Sequence, residues 1–444
     1  MNDYIELKLP KFIDFMRVED DDALIKLHSR FLTHLSITRF LSCIINLLQL
    51  DLNCFDITKI TKNKITIKTS ESPPKNIADI KKELMNNLVM RCLKISLISP
   101  MVNITTKRPT YYISKQSGIP LIGTHYFGVI DRGTNLIQIR PITGCPLNCI
   151  YCSVDEGPFS KTKIVDYYVE KDYLLEQIDQ IVEFKGRYKI EAHIDGQGEP
   201  FLYPEIIDLI KGIKEIKGVE IISIQTNAVL LSYKTIEKLA NAGLDRLNIS
   251  LNSLNSNKAA YIAGLLKFNV KKILNVIKYA NDLGIHVLLA PVWLNGINDD
   301  DIKEIISYAK RNLKYVKRWP LLGIQNYEFY RTGRNPKNVH MIPFKSFYEK
   351  LALLEKETGM NGLKLSLNDF SMHKRKMLPY VFKKGEIVKV KIVLPGRHKK
   401  EFIGVSKNRS IEVYNIKNKS VKIGDYVRVR IVRNKHNIYS ATII

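Results

Sequence analysis

Between residues 133 and 330 the chain alternates short apolar runs with longer amphipathic ones. The runs 135–140, 190–195, 219–225, 245–251, 285–292 and 322–328 predict six strands. Helical spacing predicts helices between them over Lys171–Phe184, Pro204–Ile216, Ser232–Asn241, Val270–Leu283 and Asp300–Asn312. Pro204 suits a first helical position, where no amide donor is needed. Strands alternating with helices indicate a parallel sheet, so this stretch is read as α/β.

The flanks follow other rules. In the first 132 residues, Leu24, Leu27, Phe31 and Leu35 fall at helical spacing, with Glu19-Asp20-Asp21-Asp22 where a helix dipole favours acids. Phe40–Leu50 is a second apolar segment, Lys62–Ser72 alternates like a strand before the turn Ser72-Pro73-Pro74, and Ile77–Leu97 reads as helix. This N-terminal α+β region, 1–132, shows no function of its own. After the α/β domain, 133–336, comes a segment 337–382 with a helix over Phe344–Thr358 and a basic linker, His373-Lys374-Arg375-Lys376. From 383 to 444 the pattern is all-β: Glu386–Leu394, Phe402–Ser406, Ser410–Tyr414, Tyr426–Val432 and Ile438–Ile444, with turns at Pro395-Gly396 and Gly424-Asp425. Five such strands predict a small Greek-key barrel of the oligonucleotide-binding (OB) type.

Charge adds a partner to this outline. Across 444 residues, 69 basic side chains against 44 acidic ones leave +25, which favours a polyanion, nucleic acid first, over a general lysine bias. The last 62 residues hold 16 basic and 4 acidic residues, so +12 of that excess lies on the small barrel. Lys399, Lys400, Arg428, Arg430 and Arg433 are the candidate RNA contacts, with a docking or solubility module as the alternative. The acids in Met1-Asn2-Asp3-Tyr4-Ile5-Glu6 do not suit a signal peptide, and Phe40–Leu50 is too short for a membrane span. A cytoplasmic, non-membrane protein in a reducing compartment is expected.

The chemistry concentrates in Gly144-Cys145-Pro146-Leu147-Asn148-Cys149-Ile150-Tyr151-Cys152, directly after the first predicted strand. Three thiolates on one tight loop suit an iron–sulfur cluster, whereas zinc needs a fourth ligand and no second Cys or His pair follows at finger-like spacing. Cys43, Cys54 and Cys92 stand in apolar surroundings and are read as core thiols, a second cluster being the alternative.

The C-x3-C-x2-C spacing, with Tyr151 before the last cysteine, resembles the signature of the radical S-adenosylmethionine (SAM) superfamily. That resemblance implies a partial (βα)6 barrel with its chemistry at the C-terminal strand ends. It also implies a [4Fe–4S] cluster held by Cys145, Cys149 and Cys152, whose open iron chelates SAM and yields a 5′-deoxyadenosyl radical. Gly196-Gln197-Gly198-Glu199-Pro200 resembles the superfamily's Gly-Gly-Glu-Pro motif, which receives the SAM amino group; Gln197 is an insertion into it. Thr226-Asn227 resembles the Thr-Asn-Gly at the third strand end, with Ala228 in place of glycine. Ser250 and Asn252 would meet the ribose or the methionine carboxylate, and Val292 or Leu294 the adenine, while Trp293 is read as core. Gln325 and Tyr327 are placed facing substrate, Arg331 and Arg334 within reach of phosphate.

The tail resembles a TRAM domain, an RNA-binding barrel found on tRNA-modifying enzymes. Together these resemblances imply modification of a nucleoside in RNA, tRNA foremost, by methylthiolation, thiolation or methylation. An electron donor such as a ferredoxin or flavodoxin would reduce the cluster. The alternatives are radical modification of a protein side chain or small metabolite, or a non-catalytic RNA-binding iron–sulfur protein.

Overall fold

The computed structural model describes residues 4–47, 55–69, 88–89, 91–93, 100–316, 319–416 and 419–444. The chain forms two compact units, Met1–Tyr111 and Tyr112–Ile444.

The first unit is α+β. Strands β1 (Tyr4–Lys8), β2 (Ile13–Glu19), β3 (Asp22–Leu27) and β4 (Phe31–Ser36) precede a helix, Ile37–Leu47, and the hairpin β5 (Phe55–Thr61) and β6 (Lys64–Thr69). The helix expected through Leu24–Leu35 is instead the antiparallel pair β3–β4, in which Ala23, Ile25 and Leu27 face Leu35, Thr33 and Phe31. These six are buried with period two, which outweighs the weaker coincidence at helical spacing. The acids still serve a helix, though the next one: the Asp21 carboxylate accepts from Thr38 N–H and Ser36 Oγ, each at 2.6 Å. Cys43 and Cys92 are joined as a disulfide, where separate core thiols were expected; the fold brings their Cα atoms within 5.4 Å across 49 residues. Cys54, the turn Ser72-Pro73-Pro74 and most of the helix expected over Ile77–Leu97 lie outside the described residues. β7 (Met101–Asn103) pairs with β4 and with β8 (Pro109–Ile113).

The second unit is built on a six-stranded sheet. Its members are β9 (Gly128–Asp131), β10 (Leu136–Arg140), β12 (Ile190–Ile194), β13 (Val219–Thr226), β14 (Arg246–Ile249) and β15 (His286–Leu289), while β11 (Asp166–Val169) lies outside it. The order is β15-β14-β13-β12-β10-β9; β9 is antiparallel to β10 and the other neighbours are parallel. Pro291, which lacks an amide donor, interrupts the sixth position. There the ladder continues as a Leu289–Leu322 bridge and the short pair β16 (Val292–Trp293) and β17 (Gln325–Asn326). The predicted helices form as Lys171–Phe184, Ile206–Glu215, Tyr233–Ala242, Val270–Asp282 and Asp299–Asn312. Pro204 precedes its helix; Pro200 is the proline that opens a helical turn, over Pro200–Leu202. A further helix, Ser256–Ala263, is capped by Asn255, whose side chain accepts from Asn257 and Lys258 N–H.

The C-terminal barrel is closed in the order β18-β19-β20-β22-β21, from β18 (Ile387–Pro395), β19 (Glu401–Ser406), β20 (Arg409–Tyr414), β21 (Tyr426–Arg433) and β22 (Ser440–Ile443). The third and fifth strands run parallel, the remaining pairs antiparallel, as in an OB fold. Val390, Ile392, Ile411, Val413, Val429 and Tyr439 fill its interior.

The barrel is docked by the surface that OB folds ordinarily offer to ligands, strands two and three and the flanking loops. Residues 120–126 lie along it. Ser410 N–H donates to Ile122 O at 2.9 Å, Tyr439 N–H to Gly123 O at 2.8 Å, and Ser410 Oγ to Pro120 O at 2.6 Å. Thr124 Oγ1 and His125 N–H both donate to Glu412, and Tyr126 OH donates to Glu401 at 2.8 Å. The first loop inserts Arg397 beneath the residues that follow the cysteine loop, where it is fully buried against Glu156 and Asp166.

Candidate active site

The cysteine loop leaves β10 and is tied on both sides. Gly144 bridges to Gly198: Gly144 N–H donates to Gln197 O at 3.1 Å and Glu199 N–H to Gly144 O at 2.8 Å. A Cβ on Gly198 would lie 1.9 Å from Gly144 O, and its φ of +144° lies outside the range of side-chain-bearing residues, so glycine is required. On the other side Asn148 and Ile150 N–H donate to Ala263 O and Ile262 O at the end of Ser256–Ala263. Gly264 closes that helix in the left-handed conformation, with room for no Cβ against Asn148 O.

Cys145, Cys149 and Cys152 are unpaired and open onto one cavity of about 700 Å³ at the C-terminal ends of the strands. Leu147 N–H points at Cys145 Sγ (3.5 Å), Glu156 N–H at Cys152 Sγ (3.3 Å) and Asn227 Nδ2 at Cys145 Sγ (3.6 Å). Burial pushes the Cys149 thiol up to about 12, with Cys152 adding to the shift and the charge of Arg334 opposing it. Cys145 is raised further, by burial first and then by Cys149 and Glu199. Such thiols shed their protons when a metal takes their place. Among the described residues no three His, Cys, Asp or Glu side chains gather around a single-ion position. A cubane takes each thiolate on a different iron, and three soft donors on one cavity, two of them with N–H groups aimed at their sulfurs, fit such a cluster.

Glu199 is buried and joins two strand ends. One oxygen accepts from Thr226 Oγ1 (2.7 Å) and Phe201 N–H (3.1 Å), the other from Asn227 N–H (2.8 Å). Gln225 Nε2 donates to Ser250 Oγ at 3.0 Å. Asn252 donates to Tyr151 OH at 2.7 Å and accepts from Val292 N–H at 2.8 Å, linking the fourth and fifth strand ends to the cysteine loop. Tyr151, Gly198, Glu199, Thr226, Asn227, Ser250 and Val292 all line the cavity. Asn252 lines a smaller adjoining void. Leu294 does not face the cavity but is fully buried against Ile262, Tyr327 and Val339. Gly196 is not among the lining residues; it packs behind the motif, a Cβ there meeting Ile142 O at 3.4 Å. Trp293 is core, edge-on to Phe347. Arg334 is spent on Asp155 at 2.8 Å rather than left free for phosphate, and Arg331 is exposed.

Several lining residues carried no motif. His193 Nδ1 meets Ser223 Oγ at 2.8 Å, and burial holds the imidazole below its ordinary range, hence neutral. Beside it, burial would raise the Asp195 carboxyl, yet Arg140 (3.0 Å) holds it below the usual carboxylate value. Phe344, Phe347, Tyr348 and Leu351, from the helix Phe344–Thr358, wall the cavity. Their i, i+3, i+4, i+7 spacing marked an apolar face in the sequence without saying what it faced.

The five basic residues expected to bind RNA do not form one patch. Arg428 and Arg430 are exposed opposite Lys389 and Ile387 on the outer wall of β21 and β18. Lys399 and Lys400 are exposed beyond the other end of β18, next to the buried Arg397. Lys389 to Pro395 is six residues of strand, roughly 20 Å. Arg433 is exposed past a register shift in β21.

A parallel βα sheet curled toward a barrel, with three unpaired cysteines after its first parallel strand, defines a radical SAM domain, and residues 139–309 match the Radical SAM superfamily. The chain is therefore an enzyme of that chemistry. It is 44% identical over 387 residues to the uncharacterized protein MJ0103 of Methanocaldococcus jannaschii, covering 84% of this chain and 88% of that one, and belongs to the same family. It is 33% identical over 196 residues to the GTP 3′,8-cyclase of Limosilactobacillus fermentum, which is 43% of this chain and just over half, 56%, of the cyclase. Among solved structures, Streptococcus suis SuiB bound to S-adenosylmethionine aligns over 80% of this chain and 70% of its own, at 17% identity and a TM-score of 0.37. Among the described residues, no helix is long and apolar enough to cross a membrane.

Proposed function

We propose that Cys145, Cys149 and Cys152 hold a [4Fe–4S] cluster with one open iron, that SAM lies beside them, and that the enzyme modifies a small-molecule or peptide group inside the cavity. Bound together, cluster and SAM supply a 5′-deoxyadenosyl radical that removes a hydrogen atom from substrate. Gly198, Thr226, Asn227, Ser250 and Val292 form the SAM side. Glu199, with its oxygens committed to Thr226, Phe201 and Asn227, holds the strand ends in place. A one-electron donor of the ferredoxin or flavodoxin kind serves the cluster.

The lining supports this substrate class. Tyr327, Tyr330, Phe344, Phe347 and Tyr348 enclose the substrate side; among the described residues no Lys or Arg lines it, while Glu328 and the Arg140-paired Asp195 do. A lining of aromatic rings and carboxylates suits a compact, weakly anionic group better than a polyphosphate. The barrel, docked through its usual ligand surface, serves in this reading as part of the scaffold.

The test is anaerobic SAM cleavage by the reduced protein, supplied with nuclease-treated small molecules or with RNA from the same cells. Stimulation of 5′-deoxyadenosine formation by the small-molecule fraction supports the reading. Stimulation only by a nuclease-sensitive fraction contradicts it and favours RNA, tRNA foremost, as substrate. That second reading draws on the outer wall of the barrel, where Lys389, Lys391, Arg428 and Arg430 surround an exposed Tyr426. It predicts RNA binding that weakens steeply with salt and with Arg428→Glu/Arg430→Glu.

A further inference from the structure

Beneath the cavity, neighbouring strands are joined by polar side chains. Glu191 and His193 alternate along β12 onto one face, and His193 stands in register with Ser223 on β13. His193 Nδ1 meets Ser223 Oγ at 2.8 Å, Ser223 Oγ donates to Glu191 Oε1 at 2.6 Å, and Arg246 of β14 pairs with that same oxygen. Ser223, Glu191 and Arg246 are buried, whereas His193 is half-buried and lines the cavity.

The direction of these bonds fixes the imidazole. A carboxylate paired with arginine only accepts, so the single serine proton goes to Glu191. Ser223 Oγ is left to accept, and the proton it accepts must sit on His193 Nδ1. Burial, helped by the charges of Arg246 and Arg140, outweighs Asp195 and Glu191 and keeps the ring neutral. A neutral ring protonated at Nδ1 carries its lone pair on Nε2.

That nitrogen has no hydrogen-bond partner among the described residues, yet it is not one of the side-chain atoms sealed away without one. On a side chain lining the cavity, it is the ring nitrogen left open. The neighbouring Asp195 is already committed: Oδ1 accepts from Arg140 Nε at 3.0 Å and Oδ2 from Gln138 Nε2 at 2.7 Å.

We infer that His193 recognises the substrate: the chain Arg246–Glu191–Ser223 locks its proton on Nδ1 and leaves Nε2 to accept a hydrogen bond from a substrate O–H or N–H. Ser223 and Glu191 are positioning residues that act through the ring. The substrate is thereby narrowed to molecules presenting a hydroxyl, amine or amide donor toward β12. The inference rests on the proposal that substrate enters this cavity, but not on which molecule it is.

The first readout uses the full chain, reconstituted anaerobically with isotope-labelled histidine. Long-range proton–nitrogen NMR correlations report the tautomer of His193, whose signals are identified by their loss in His193→Asn. The wild type should show Nδ1–H and a bare Nε2, and Ser223→Ala, lacking the acceptor, should mix the two tautomers. A wild-type ring protonated at Nε2 overturns the inference.

The second readout is the amount of nuclease-treated small-molecule fraction that half-saturates 5′-deoxyadenosine formation. In His193→Asn the amide keeps a donor for Ser223 but ends short of the Nε2 position. The half-saturating amount should rise about tenfold there, as for one lost hydrogen bond. In His193→Gln the carbonyl reaches that position and should recover part of the loss. No change in His193→Asn overturns the inference, as does an equal loss in both variants, the mark of a purely structural role. If only the nuclease-sensitive fraction stimulates the wild type, the small-molecule reading fails, and the same comparison with that fraction decides for His193.

Discussion

Arg397 and Asp166 form a fully buried ion pair across the seam between the C-terminal barrel and the radical SAM domain. Arg397 also meets Glu156, whose N–H points at Cys152 Sγ, and donates to Thr143 Oγ1 at 2.7 Å at the root of the cysteine loop. The barrel therefore reaches the third cysteine through two links. It is anchored there by charge.

Arg397→Ala should be severe. Removing the guanidinium leaves Asp166 and Glu156 buried without their counter-charge, which costs about 3–5 kcal/mol for a broken buried pair. Equilibrium denaturation in urea measures it. A loss under about 1 kcal/mol would mean that the seam does not depend on this pair.

The same seam makes stability depend on pH. Burial, followed by the Glu412 charge, pushes the Glu401 carboxyl up to about 7 from 4.5, against the Tyr126 hydroxyl and His398 N–H bonded to it and the nearby His125. Tyr414 also faces the pair. For an acid whose pKa rises on folding, the contribution is fully present below the unfolded value and is lost as pH climbs through the folded one. Stability from this group should thus decline between pH 4.5 and about 7, by on the order of 3 kcal/mol. Glu401→Gln should flatten that part of the profile and be at least as stable as wild type at pH 8. A profile with the same slope in the variant would assign the pH dependence elsewhere.

Gly264→Ala isolates the support of the cysteine loop. The new methyl would stand 2.1 Å from Asn148 O, so the loop must move or the helix end must unwind. Iron bound after reconstitution should fall several-fold while the C-terminal barrel stays folded, because the atoms nearest the new methyl all belong to Asn148. Circular dichroism and iron assay together check it; full iron retention would show that the loop does not need this anchor.

The parallel sheet was legible because each strand is a continuous apolar run bounded by amphipathic helix, a pattern that tertiary context rarely reverses. The cysteine loop stood out in the sequence by residue type and spacing, and the fold opens its three thiols, with Glu199, onto one cavity. Leu294 misled because an apolar residue at a strand end can face a ligand or the core, and only packing against Ile262 and Val339 decides. The β3–β4 hairpin misled because two periodicities overlap across Leu24–Leu35. The docking of the barrel was hidden for another reason. Its charge is visible in composition, but which wall is docked depends on pairings such as Thr124 with Glu412, 288 residues apart.

The most direct measurement is iron and sulfide content after anaerobic reconstitution, with SAM cleavage on the same samples, for the wild type and Cys145→Ala/Cys149→Ala/Cys152→Ala. The account predicts about four irons per wild-type chain, 5′-deoxyadenosine formed on reduction, and neither in the triple variant. Iron that survives the triple substitution, or a wild type that binds about four irons yet leaves SAM intact, would contradict it.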